Sequence, residues 1–155
     1  KNEEARYISG DVLSGTEILY ENSLNYYDEI LSIIRTCNKR RFLGWMTLGF
    51  NKYSLSNTFL SKLFFNKYNI VLDTKLNGSV RSIIPMGNWD KVLPMKILPE
   101  FLIKSILIKD IDMMEKLGIY ECDPEDFSLC SFACQSKVEV SSIIEDGLNL
   151  MEKEA

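Results

Sequence analysis

Hydrophobic residues are spaced in two ways along the chain, and the change falls near residue 94. Before it, short runs rich in Ile, Tyr, Thr and Val are separated by turn residues, which predicts strands over 6–12, 29–37, 41–48 and 80–84. Ser9-Gly10-Asp11, Ser14-Gly15 and Asn77-Gly78 mark tight turns, and the polar Asn38-Lys39-Arg40 reads as a hairpin tip between two of these strands. Short strands punctuated by glycine suit a small curled sheet.

Beyond Pro94 the spacing becomes that of helices. Pro99 fits the first turn of a helix whose apolar face carries Leu98, Phe101, Leu102 and Ile106, with Glu100 and Lys104 on the other side. A second helix is expected to start at Asp110 as N-cap, to turn Ile111, Met114 and Leu117 inward, and to stop at Gly118. Asp123-Pro124-Glu125-Asp126 is a third start signal, with a cap acceptor, a proline at the first position and two carboxylates where the free N–H groups favour negative charge. Ser142-Ile143-Ile144-Glu145 has capping-box spacing, and Ile144, Leu148 and Met151 recur at helical intervals. The expected class is α+β, with a β-rich segment over 1–94 and a helical domain over 95–155.

Composition narrows the chemistry. The 155 residues include 18 basic and 22 acidic side chains, a net charge of −4, so a broad cationic face for nucleic acid is not expected. There is no histidine, which excludes Ser-His-Asp and Cys-His pairs and histidine-ligated zinc. The longest apolar run is broken at Lys104, so no segment reaches the roughly 20 apolar residues that span a bilayer. Lys1 is not a methionine, and the expectation is a piece of a longer chain. The four cysteines match no disulfide scaffold, which fits a reducing, cytoplasmic setting.

Cys130 and Cys134 form a C-x3-C, the interval that closes the bacterial ferredoxin run, and Cys122 lies eight residues upstream. The two earlier cysteines of that run are missing and Gln135 replaces its proline, so buried packing is preferred over metal ligation. Asp123, Glu125 and Asp126 are explained by helix capping without a metal. Gly10 to Gly15 has neither the dinucleotide spacing nor a Walker lysine. The aromatic set of residues 42–68, with Phe42 and Trp45 among it, reads as core or as a docking surface.

Several stretches together resemble one family, the NqrA subunits of the sodium-translocating NADH:quinone oxidoreductase. They are Ile8-Ser9-Gly10-Asp11-Val12-Leu13-Ser14-Gly15, Phe42-Leu43-Gly44-Trp45, Ile84 to Met95 with its Pro85-Met86-Gly87-Asn88-Trp89 core, Ile97-Leu98-Pro99, Leu117-Gly118, and Asp126 to Cys134. The resemblance implies the C-terminal third of NqrA: the end of an SLBB, β-grasp-like domain, then a helical domain related to the iron–sulfur domain of RnfC. It departs from that domain in keeping only Cys130 and Cys134, which makes them vestigial.

The implied role is a cofactor-free, peripheral part of the pump on the cytoplasmic side of the bacterial inner membrane. It would have no catalytic residue, would be attached to the membrane component NqrB and other Nqr subunits, and would be implicated in ubiquinone binding; NADH, FAD, FMN and iron–sulfur centres belong to the whole complex. The expected partner surface is Phe42, Trp45, Pro85, Met86 and Trp89, beside the basic tip Lys39-Arg40-Arg41, while Glu145, Asp146, Glu152 and Glu154 make the last helix acidic; for Trp45 and Trp89, taken singly, a place in the core is an equal expectation, since large aromatic residues are highly buried on average. The alternative is an iron–sulfur electron-transfer module using Cys122, Cys130 and Cys134 with a fourth ligand. A generic ligand-binding SLBB protein is a third reading.

Overall fold

A computed structural model of the chain describes residues 5–37, 42–50, 53, 59–61, 73–75 and 78–154, with Trp45 described by its backbone alone. These residues fall into two compact units, the first ending at Leu76 and the second beginning at Asn77.

The first unit is built on a three-stranded antiparallel sheet of β1 (Ala5–Ser9), β2 (Thr16–Ile18) and β3 (Leu31–Arg35), in the order β2-β1-β3. Tyr7 stands opposite both Ile18 and Ile33, and Ser9 opposite Thr16 and Leu31. The strand expected over 6–12 stops at Ser9 because Gly10 turns into the left-handed region at φ 96°. The Asp11 carboxylate then accepts from Leu13 and Ser14 N–H, each at 2.6 Å, and closes the β1–β2 turn. Gly15 completes that turn, since a Cβ there would lie 2.5 Å from the Ser9 carbonyl oxygen.

No strand forms over 42–48, where one was expected. Leu43 takes a left-handed φ of 49° and the chain closes into a 3-10 turn, Gly44–Met46, with Met46 N–H bonded to Leu43 O at 3.0 Å. That stretch lacks the polar–apolar alternation that would give a strand a buried face. The proposed hairpin tip at 38–40 lies outside the described residues, as do Phe64, Phe65 and Tyr68.

The second unit is helical: α1 (Pro99–Ile108), α2 (Ile111–Lys116), α3 (Ser128–Ala133) and α4 (Val140–Glu154), with 3-10 turns at Ile119–Glu121 and Pro124–Phe127. The local start signals act as expected. Pro99 is the first residue of α1, Asp110 accepts from Met113 N–H at 3.1 Å, Asp123 accepts from Glu125 N–H at 3.1 Å, and Gly118 follows α2 at φ 84°. One core joins all four helices through Leu102, Ile103 and Ile106 of α1, Met114 of α2, Cys130 of α3 and Ile144 of α4.

This packing corrects three expectations. Trp89 and Leu93 are buried in that same core and Ile83 packs against it, so the chain divides at 76/77 and the boundary set at 94/95 falls inside the second unit. Phe101 is 60% exposed and Leu98 points outward too; the buried arc of α1 centres on Leu102 and Ile106, and Ile103 fills the place given to Phe101. The last helix begins at Val140, which puts Ser142 inside it and not at its cap. Residues 80–84, where a strand was expected, join no ladder among the described residues; Arg81 N–H reaches Ser136 O at 2.8 Å and Ser136 Oγ donates to Ser82 O at 2.9 Å.

Candidate functional site

Cys130 sits on α3 with its thiol fully buried, Cys134 follows the end of that helix and is also buried, and Cys122 is buried just after the Ile119–Glu121 turn. Burial pushes the Cys130 thiol up to about 11, helped by the negative charge of Asp90 and by Cys134. Burial likewise pushes Cys122 to about 11, reinforced by Asp126 and Glu121. Both are therefore neutral thiols at pH 7 in the metal-free chain. Cys122 spends its proton locally, donating to the Gly118 carbonyl at 3.4 Å. No group of three Cys, Asp or Glu side chains converges to hold a metal among the described residues. This donor set does not fit an iron–sulfur centre.

The carboxylates near them mark the start of a turn, and Asp123 bonds its backbone. Asp123 caps the Pro124–Phe127 turn, and Glu125 and Asp126 occupy its first positions. Their geometry is that of a helix start, in which side-chain and dipolar charge satisfy N–H groups without a ligand.

The residues chosen as a partner surface fall in both units. In the first, Phe42 is 92% exposed at the entry of the Gly44–Met46 turn that contains Trp45. In the second, Pro85 and Met86 are exposed, while Trp89 is 5% exposed and lies in the helical core, not on the surface expected of a docking residue. Its backbone organises the turn that follows, for Trp89 O accepts from Val92 and Leu93 N–H at 3.1 and 2.9 Å. An aromatic residue supplies equal apolar area to a core or to an interface, so its type could not separate the two.

Glu100 is a positioning residue that sequence reasoning did not single out. From the first turn of α1 its Oε1 accepts from Met86 N–H at 2.9 Å and Gly87 N–H at 2.8 Å, with Gly87 at φ 62°. One carboxylate thus fixes the turn that displays Pro85 and Met86. The available signal was a glutamate directly after a helix-starting proline.

No family model matches the sequence. Across nearly its whole length the chain is homologous to proteins of one name. It is 42% identical to the A-subunit of the Na(+)-translocating NADH-quinone reductase of Hahella chejuensis, over 99% of this chain and 34% of that protein. Identity is 38% to the protein of the same name from Vibrio anguillarum, over 97% of this chain, and 37% to that of Pasteurella multocida, over 99%. The chain therefore spans about a third of the length of the curated relatives it matches.

Proposed function

We propose that this chain is a C-terminal segment of the NqrA component of a sodium-pumping NADH:quinone oxidoreductase, and that it serves assembly without chemistry of its own. The observation that carries the reading is 42% identity sustained over 99% of the chain to a protein of that name. Electron transfer from NADH to ubiquinone, coupled to sodium export, belongs to the complex; its FAD, FMN and iron–sulfur centres sit elsewhere. Two features support a part without a redox centre: the incomplete cysteine run, which keeps Cys130 and Cys134 and lacks the two cysteines that precede them in a cluster-binding domain, and the absence of histidine from the sequence. Within this reading the first unit is the end of an SLBB-like domain and the second an RnfC-type domain whose cluster has been lost.

A peripheral position on the cytoplasmic side of the inner membrane, against NqrB and other Nqr subunits, accompanies this proposal. No helix among the described residues is long and apolar enough to cross a membrane. Phe42 and the Pro85-Met86 turn are the exposed members of the proposed contact. The test is removal of the gene segment that encodes this chain. Membranes should lose sodium-stimulated NADH:quinone reductase activity and regain it with the intact NqrA protein; undiminished activity would overturn the assignment. An iron–sulfur module built on Cys122, Cys130 and Cys134 would instead give a purified protein with visible charge-transfer absorbance and stoichiometric iron.

A further inference from the structure

The sheet of the first unit carries an aromatic and aliphatic face that stays open among the described residues. Directly paired residues share one face of a sheet, so Tyr7, Ile18 and Ile33 form a row, and Leu31 extends it beside Ser9. Ile33 and Leu31 are exposed, and so is Tyr20, whose ring packs on Tyr7 with centroids 5.5 Å apart. Tyr26 and Tyr27, in the β2–β3 connection, are 93% and 91% exposed and meet edge to face at 5.0 Å.

The backbone beneath these two rings is tied to the same face. Ser9 Oγ donates to Asp28 Oδ2 at 2.6 Å and accepts from Asn25 N–H at 2.9 Å. Asn25 Nδ2 donates to Thr16 Oγ1 at 2.7 Å and to Asp28 Oδ2 at 3.0 Å. Ser9 and Thr16 are register partners on the side of Tyr7 and Ile18, so the loop is anchored over the end of that face. Tyrosines shown from an anchored loop lose little conformational entropy on binding, which makes them effective contact residues.

Charge decides what the face accepts. From Tyr7 to Ile34 the sequence holds Asp11, Glu17, Glu21, Asp28 and Glu29 and no lysine or arginine. Arg6 and Arg35 flank that stretch at the far end of the sheet: Arg35, two residues past Ile33, shares the Tyr7 face at the end away from the tyrosine loop, and Arg6 on the opposite face pairs with Glu17, its Nε 3.2 Å from Glu17 Oε1. Asp11 and Asp28 are engaged by the turns. Glu21 and Glu29 remain exposed beside the tyrosines. An aromatic centre with this rim repels phosphate and attracts ammonium and guanidinium groups, both by charge and through ring faces.

We propose that the Tyr20, Tyr26 and Tyr27 face docks a segment of a partner protein rich in lysine and arginine, whichever complex the chain serves. The test is fluorescence anisotropy of the whole chain with a labelled peptide of alternating arginine and leucine. Saturable, salt-sensitive binding is expected, weakened about tenfold or more by the pair Tyr26→Ser and Tyr27→Ser and by the pair Glu21→Lys and Glu29→Lys, but kept by Tyr26→Phe with Tyr27→Phe. Glu152→Gln with Glu154→Gln, on α4, should leave it unchanged, which separates a defined face from general acidity. If the serine pair lowers the melting temperature, the lysine pair carries the test. Equal binding by all variants would overturn the proposal. So would capture of phosphatidylserine vesicles through the same tyrosines, or a dimer in sedimentation that the serine pair dissolves.

Discussion

Gly147 on α4 lies so close to Ile106 on α1 that a Cβ at position 147 would stand 2.9 Å from both Cγ1 and Cδ1 of that isoleucine. Ile119 Cδ1 would be equally near, and both isoleucines are buried. Alanine favours a helix interior over glycine by about 1 kcal/mol, but overpacking a filled core costs about 1–3 kcal/mol. The clash should win. Gly147→Ala is expected to lower stability by up to about 2 kcal/mol in denaturant titration, and Ile106→Val should offset part of that loss by removing one of the opposing carbons. A raised melting temperature would show that α4 can move off α1 without cost.

The start of α4 depends on another helix. Ser131 Oγ, on α3, accepts from Val140 N–H at 2.9 Å and Ser141 N–H at 3.2 Å. It satisfies two donors that a helix N-terminus otherwise leaves open. Ser131→Ala should cost about 1–2 kcal/mol and speed hydrogen exchange at Val140 and Ser141 before the rest of the helix. Uniform exchange along α4 would mean that water replaces the hydroxyl freely.

This cap explains why the helical unit was legible in outline and misread at one end. Pro99, Asp110, Asp123 and Gly118 act on backbone within a few residues of themselves, and such signals survive in sequence alone. Ser131 acts nine residues along the chain through a fold that must already exist, so Ser142 looked like the cap. β2 is three residues long, too short for any periodicity to show. Phe101 lies outside where it was expected inside, and Trp89 takes the core alternative of its two readings, because aromatic character does not encode inside or outside. The C-x3-C was visible as spacing, but the protonation of Cys130 depends on the apolar shell and on Asp90, which only the fold brings near.

Glu100 tests the display of Met86. Glu100→Ala removes the acceptor shared by Met86 and Gly87 N–H, so exchange at those two amides should accelerate about tenfold or more while global stability falls by about 1 kcal/mol. Glu100→Gln retains a carbonyl oxygen in place and should fall between the two. Unchanged exchange in the alanine variant would show that the left-handed Gly87 alone holds the turn.

The buried thiols set a pH limit on the helical unit. Cys122 and Cys130 hold their protons up to about 11 when folded, against an ordinary value of 9.0. A raised acid contributes stability that is fully present below its unfolded value and is lost as pH climbs toward the folded one. Between pH 9.0 and about 11 the unfolded chain releases protons that the folded chain keeps, so the stability of this unit should fall by up to about 1.4 kcal/mol per pH unit for each thiol. Cys130→Ala should start lower at pH 7, by about 1–2 kcal/mol for the lost sulfur, and then decline less steeply across that window. The readout is the denaturant midpoint followed by far-UV circular dichroism at a series of pH values. Parallel curves for the parent and the Cys130→Ala chain would show that the thiol is already ionised or solvated in the folded chain.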